Sequence, residues 1–345
     1  MHVETQSLNN EWKLYKLVND HGMEVHVLNF GGIITKILVP DKKGKLENVV
    51  LGYQGIEQYE HNSIFLGALI GPVAGRIKGA SFQLKGHIYH LEANNGNHHL
   101  HGGSSGFHSL IWKAQPFESA NESGVHLCHV REDGDGGYPG EVRAEVTYTL
   151  TNDNELILNY KAVTDQWTPI ALTNHSYFNL SGNVKDTIHD HQVTIQSHRF
   201  VELDKELIPT GRILKVENTP FDFRKGRYLR AGIHSSHEQN LVAGNGYDHY
   251  FLFDESEPIK VVMKDPRSGR ILSVKTDDPG MVMYTGNHLP EGLKLAEGTM
   301  KKYSGVCFET QSSPASLHEE GFPSALLKPE ETYRRRTVFQ FDTEK

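Results

Sequence analysis

Histidine, arginine and carboxylate side chains gather in a few short stretches of this 345-residue chain, each beside glycines or a β-forming run. In GPVAGRIKGASFQL (71–84), Arg76 follows a glycine-rich turn. Glycine lets a backbone fold closely on itself, and arginine offers a rigid fork of donors. Taken from its own segment, Arg76 reads as a surface arginine in a turn. NGNHHLHGGSSGFHSLIW (95–112) carries His98, His99, His101 and His108. The HH and HxH spacings raise the question of a metal, but no carboxylate or further histidine nearby completes a usual site, and HExxH is absent. His101, set between Leu100 and two glycines, is expected to be presented by a tightly turned backbone.

TPIALTNHSYFNLSG (168–182), read as a strand, places Thr173, His175, Tyr177 and Asn179 on one face by the two-residue period. That face is rich in donors and acceptors and free of fixed charge, which suits a neutral, hydroxyl-rich ligand. In YSGVCFETQSSP (303–314), the same alternation groups Cys307, Glu309 and Gln311 opposite Val306, Phe308 and Thr310. A carboxylate between β-forming stretches can be partly buried with a shifted pKa, or exposed on an edge strand; this segment leaves both open. GNGYDHYFLF (244–253) adds Asp248 in a turn-to-strand passage. The inventory contains no P-loop, no GxSxG elbow and no GxGxxG between strand and helix. It suits proton transfer between oxygens, without a nucleophile, metal or cofactor.

The elements that must hold these residues are strands. EVHVLNF (24–30), EVRAEVTYTL (141–150), ELILNYKAV (155–163), HQVTIQS (191–197), IKVVMKD (259–265), RILSVKT (270–276) and RRTVFQF (335–341) alternate apolar and polar residues. Turn signals punctuate them at Asp41–Gly44, Gly134–Gly140, Asn152–Asn154, Asp265–Gly269 and Asp277–Gly280. A strand about every ten residues predicts an all-β fold, a large antiparallel sandwich forming one domain over residues 1–345. Short helices are expected only at 56–62 and near 235–243.

Composition bounds the partners. With 37% hydrophobic and 23% charged residues the chain is that of a soluble globular protein. A net charge of −8, whose longest like-charge run is Arg334–Arg336, argues against a nucleic-acid surface, and the triplet reads as a solvated strand face. Cys128 and Cys307 are the only cysteines and form no CxxC, so a reducing, cytoplasmic setting is expected. The polar N-terminus resembles no signal peptide, and no apolar run approaches membrane-spanning length.

At LHGG with GF and W downstream (100–112), DGDGGYPG (133–140), LTNHSYFNL (172–180), GYDH (246–249), PG…YTGN (279–287) and FETQ (308–311), the sequence resembles the aldose 1-epimerase family. The motifs run in family order from about residue 10 to residue 341. The resemblance implies the galactose mutarotase-like β-sandwich and the opening and reclosing of the pyranose ring of unphosphorylated sugars, with no cofactor. It implies Glu309 as general base, His175 as general acid and His101 as a second histidine near the ring oxygen or C1 hydroxyl. Arg76 and Asp248, with Gln311 beside the base, would hold substrate. The enzyme would act as a monomer or homodimer. Two positions depart from the common pattern: Gly75, where many members have Asn, and Val282, where many have Gln. Competing readings are a hexose-6-phosphate 1-epimerase, which needs extra cations for a phosphate, a non-catalytic sugar-binding protein, and a metal-dependent enzyme.

Overall fold

Residues 1–254 and 257–344 are described by the computed structural model. The alternating segments form strands because one set of side chains can leave water together. Along Val142–Thr151, Val142, Ala144, Val146, Tyr148 and Leu150 are buried. Along Glu155–Thr164, the buried set is Leu156, Leu158, Tyr160 and Ala162. These two strands pair antiparallel in the middle of a nine-stranded sheet, which also contains Lys113–Glu118, Glu122–Arg131, Tyr333–Thr343, Arg270–Thr276, Ile259–Lys264, Gln192–Ile195 and Arg227–Tyr228.

Two five-stranded antiparallel sheets complete the frame. One is a meander of His2–Ser7, Lys13–Val18, Glu24–Leu28, Ile33–Pro40 and Leu46–Asn48. The other, here the floor sheet, runs in the order Pro209–Lys215, Arg199–Leu203, Asp248–Leu252, Gly280–Tyr284, Cys307–Thr310. All three sheets feed one apolar cluster, which joins Leu17 and Val25 to Val146 and Phe339 and to Phe251, Met283 and Phe308. The fold is mostly β, with large antiparallel sheets, as the periodicity predicts.

Helix is confined to short pieces, including the 3₁₀ turn Ile56–His61 and the α-helical turns Arg230–Ile233 and Glu238–Val242. Among the described residues no helix is long and apolar enough to cross a membrane. Arg334 and Arg336 are exposed as expected, but Arg335 departs from the solvated-face reading, its Nε lying 3.0 Å from Oδ1 of buried Asp278.

The segment 168–182 corrects the sequence reading. It is not a continuous strand: Thr168–Pro169 and Thr173–Asn174 pair with Leu326–Leu327 and Leu69–Ile70 respectively, and Ala171 and Phe178 make isolated bridges to Val73 and to Val50 and Val306. From Thr168 to Ser181, nearly every residue is buried on both sides. Its polar residues spend their groups on backbone instead of presenting one polar face. Asn179 donates to the Asp186 and Ser304 carbonyls, and Asn174 donates to that of Gly67.

Candidate active site

The floor sheet carries half of the site through its register. Asp248 pairs with Tyr284, which pairs with Cys307, and Tyr250 pairs with Val282, which pairs with Glu309. Side chains two apart share a face. Asp248, Tyr250, Val282, Tyr284 and Glu309 therefore point into one cleft, joined by Gln311. The opposite face delivers Phe251, Met281, Met283 and Phe308 to the core. The grouping of Glu309 with Gln311 is the one the alternation predicts, and Glu309, although its strand ends the floor sheet, proves to be 3% exposed, which excludes the exposed reading.

Loops supply the rest. His175 is held by reciprocal backbone bonds to the neighbouring loop, its N–H donating to the Ala68 carbonyl and its own carbonyl accepting from Gly67. His101 has a left-handed backbone, φ +54, followed by Gly102 at φ +86. A Cβ at Gly102 would come within 2.1 Å of the Gly71 carbonyl oxygen, so this turn closes only with glycine. The expected tight presentation of His101 is what the chain adopts. Gly75 donates its N–H to His101 Nδ1 at 3.1 Å. With Nδ1 held as an acceptor, neutral His101 carries its proton on Nε2 as a fixed donor.

Arg76 corrects the surface reading. It pairs across a two-stranded ribbon with Leu100 and lines the cleft, its Nε donating to Asn95 Oδ1 at 3.0 Å and its Nη1 lying 3.5 Å from Asp248 Oδ2. Gln311 donates through Nε2 to the Ala74 carbonyl, while its Oε1 is buried without a protein partner. That leaves an acceptor for a ligand. Val282 adds an apolar patch to the lining.

The empty space of the cleft is about 1050 Å³ counted to its open mouth, the size of a small-molecule site. At its base His175 Nε2 lies 3.5 Å from Glu309 Oε1. His175 Nδ1 faces Cys307 Sγ, also at 3.5 Å, which leaves Nε2 for the cleft. Burial pushes the Glu309 carboxyl well above its usual range; Asp248 adds to this and Arg76 opposes it. Burial pulls His175 down to about 4 and His101 well below its ordinary value, and it raises Asp248 against the opposing pull of Arg76. Both members of the central pair thus disfavour charge.

All six candidates, Arg76, His101, His175, Asp248, Glu309 and Gln311, line this one cleft. Of the face drawn through 173–179, only His175 and Tyr177 reach it. Phe65, Tyr250 and Tyr284 line it as well, and sequence reasoning misses them. Each reads in sequence as an ordinary core or strand aromatic, and nothing in the spacing marks it. Local spacing also misleads about metals. His101, His175 and Glu309 come from three distant segments, yet offer ligand atoms within 4.8 Å of one another, a grouping that only the fold assembles.

A buried carboxylate–histidine pair under a cleft lined with hydrogen-bonding groups defines an acid–base enzyme for a polar small molecule. The sequence profile of the family described as Aldose 1-epimerase matches residues 13–340, and the chain belongs to that family, whose members are isomerases. It is 42% identical over 322 residues to the galactose mutarotase of Mus musculus, covering 92% of this chain and 91% of that one. It is 30% identical over 328 residues to the maltose epimerase of Levilactobacillus brevis, covering 95% and 94%. Among solved structures, the aldose epimerase homologue from C. elegans superposes with a TM-score of 0.88 at 28% identity, over 100% of both chains.

Proposed function

We propose that this enzyme interconverts the α and β anomers of unphosphorylated hexoses, D-galactose and D-glucose among them, by acid–base catalysis at Glu309 and His175. The observation that carries the reading is the 3.5 Å approach of His175 Nε2 to Glu309 Oε1 at the base of the cleft. In the ion-pair form of the couple, which burial makes the minor one, ionised Glu309 takes the proton of the C1 hydroxyl while protonated His175 gives one to the ring oxygen, and the C1–O5 bond breaks. Rotation about C1–C2 turns the other face of the aldehyde, and the same groups in reversed roles close the ring. The pair begins and ends with one proton in total. Concerted transfer avoids a free alkoxide or oxonium, and each group contributes roughly 10²–10⁴-fold. His101 Nε2–H donates near the ring oxygen, and Arg76, Asp248 and Gln311 hold the remaining hydroxyls.

A phosphorylated hexose fits less well. Arg76 is the one lysine or arginine among the cleft-lining residues, and it is already turned to Asp248. A phosphate dianion needs more cations than that. The test is polarimetry on freshly dissolved α-D-glucose and α-D-galactose, with wild type and Glu309→Gln. Wild type should speed the approach to equilibrium and the variant should lose nearly all of that effect while still binding galactose in calorimetry. A variant that turns over at the wild-type rate would move the base elsewhere, with Asp248 next to test. We further propose a cytoplasmic monomer or homodimer. Cys128 and Cys307 are both free thiols, and cell fractionation with light scattering on the purified protein tests the two parts.

A further inference from the structure

Pro209–Lys215 forms the outer edge of the floor sheet, and the hairpin that joins it to Arg199–Leu203 turns over residues 204–208. Leu203, Leu207 and Pro209 of this hairpin line the catalytic cleft, and Arg76, Leu100 and His101 line it from the adjoining wall. We propose that the hairpin tip is a cover for the bound sugar, with Leu207 as the side chain that closes on it and Glu206 as the clasp that holds the tip to the adjoining wall. The proposal rests on the anomer-interconverting reading above.

Leu207 is the first observation. Its φ is +62, a region that bulky L-residues avoid because Cβ crowds the backbone there. Turns elsewhere in the chain meet the same demand with asparagine, at Asn154, Asn183, Asn218 and Asn245, which tolerates it well. Phe65, His101 and Leu207 share it without that ease, and all three line the catalytic cleft. Phe65 is held by Asn62, whose side chain bonds both the N–H and the carbonyl of Leu66. Asp204 holds Leu207 in a similar way. Its Oδ1 accepts from the N–H groups of Glu206 and Ile208, its carbonyl accepts from Leu207 N–H, and its own N–H donates to the Ile208 carbonyl. Strain kept at a cleft-lining residue points to what its side chain does there.

Glu206 supplies the second. It reaches from the tip to His98, its Oε1 lying 3.6 Å from His98 Nε2. His98 is buried, and its Nδ1 accepts from Gly79 N–H at 3.0 Å, so neutral His98 carries its proton on Nε2, toward Glu206. That buried Nε2 has no hydrogen-bond partner among the described residues. A donor in this state gains from any shift that brings the carboxylate into hydrogen-bonding distance. A small movement of the tip toward His98 completes the bond. His98 also shares a tight turn with Asn95 through two backbone bonds, and Asn95 Oδ1 accepts from Arg76 Nε. The clasp thus reaches the turn that supports an arginine of the cleft.

An apolar cover suits the chemistry. A pyranose carries C–H groups between its hydroxyls, and Leu207 is only partly buried in the open cleft, so a sugar beneath it removes more apolar surface from water. Water kept away from Glu309 and His175 cannot compete for the protons they exchange with the sugar. The base of the hairpin is fixed: Leu203 N–H donates to Gln239 Oε1, and its carbonyl accepts from Gln239 Nε2. The tip therefore closes on a firm support.

Polarimetry on α-D-glucose and urea unfolding test the proposal on wild type, Leu207→Asn, Leu207→Met, Glu206→Ala and the double variant of Leu207→Asn with Glu206→Ala. Asparagine accepts a positive φ but removes the apolar bulk. Leu207→Asn should therefore keep or raise the urea midpoint while lowering kcat/KM by about tenfold or more. Leu207→Met, which restores the bulk, should recover most of that loss, and Leu207→Gly is the backup should the asparagine variant not fold. Glu206→Ala should lower kcat/KM by about threefold, mainly through KM, and should add no further loss to Leu207→Asn, because it acts through Leu207. Near-normal kcat/KM in Leu207→Asn, activity lost together with stability, or a methionine variant as slow as the asparagine one overturns the cover. An unchanged KM in Glu206→Ala, or losses that simply add in the double variant, overturns the clasp. A wild type that does not speed glucose mutarotation would defeat the anomer-interconverting reading itself, whereas an active wild type with indifferent variants defeats only the cover.

Discussion

Glu309 and His175 share one desolvated space and respond to it in opposite directions, because burial penalises whichever form is charged. The carboxyl rises well above its usual range and the imidazole falls to about 4. They lie 3.5 Å apart, so under the proposed mechanism the pH limits of the reaction depend on both. In the proposed mechanism the one-proton form is the active one. The profile of kcat/KM against pH should be bell-shaped, falling in acid as the pair gains a second proton and in base as it loses the last. His175→Asn removes the acid and should lower kcat by roughly 10²–10⁴-fold. His101→Asn, which removes a fixed donor, should change KM and kcat together; a near-normal kcat in His175→Asn would contradict the acid assignment. The same pair bears on the metal question, since a cation bridging His101, His175 and Glu309 would occupy the lone pairs that proton transfer uses. Full activity is expected after exhaustive EDTA treatment, and restoration of a lost rate by zinc would overturn that.

The floor sheet and the loops differ in how far their sequences reveal them. In FETQ, strand alternation and site alternation coincide, so the sequence alone puts Glu309 and Gln311 on one face. The register then aligns them with Val282, Asp248 and Tyr284. In TNHSYFNLSG the same alternation misleads. Both sides of that segment are buried, and its asparagines satisfy loop carbonyls instead of forming strand edges. Phe65 left no readable mark, because a left-handed phenylalanine is imposed by the Asn62 clamp and not by any turn signal of its own. His101 lies between these cases. Its glycines announce a turn, and the reason for them is the approach of Gly102 to the Gly71 carbonyl. Gly102→Ala would put a methyl into that contact at a positive φ. It should destabilise the fold by about 1 kcal/mol or more, seen as a lower urea midpoint. It should also cut kcat/KM more than His101→Asn does, because it shifts the whole turn. Unchanged urea and kinetic behaviour would show that the turn has slack.

At the scale of the whole molecule, the 21 histidines matter as much for folding as for chemistry. Burial lowers His108 and His175 to about 4 and His249 to about 3, and takes His101 well below its ordinary value. For a histidine with a depressed folded pKa, the unfolded chain binds the proton first. Its stabilising contribution is therefore complete above about pH 6.5 and is lost as the pH falls toward the folded value. Three buried carboxyls act in the opposite sense. Asp278 is raised to about 7, and Asp248 and Glu309 also rise. The folded chain keeps these protons where the unfolded chain gives them up, so their contribution is full in acid and fades as the pH rises. Between about pH 6.5 and 4.5 these four histidines oppose these three carboxyls, and stability should fall with acidification. Each unbalanced proton adds a slope of about 1.4 kcal/mol per pH unit. His108 is the histidine of the four that lies outside the catalytic cleft and is not fully enclosed, so it can be replaced with least damage. His108→Gln removes one titrating group and should flatten the dependence of unfolding free energy on pH by about 1.4 kcal/mol per unit in that window. Urea unfolding at half-unit intervals reads the slope directly. Parallel curves for wild type and His108→Gln would mean that His108 titrates in the folded protein as it does in the unfolded one.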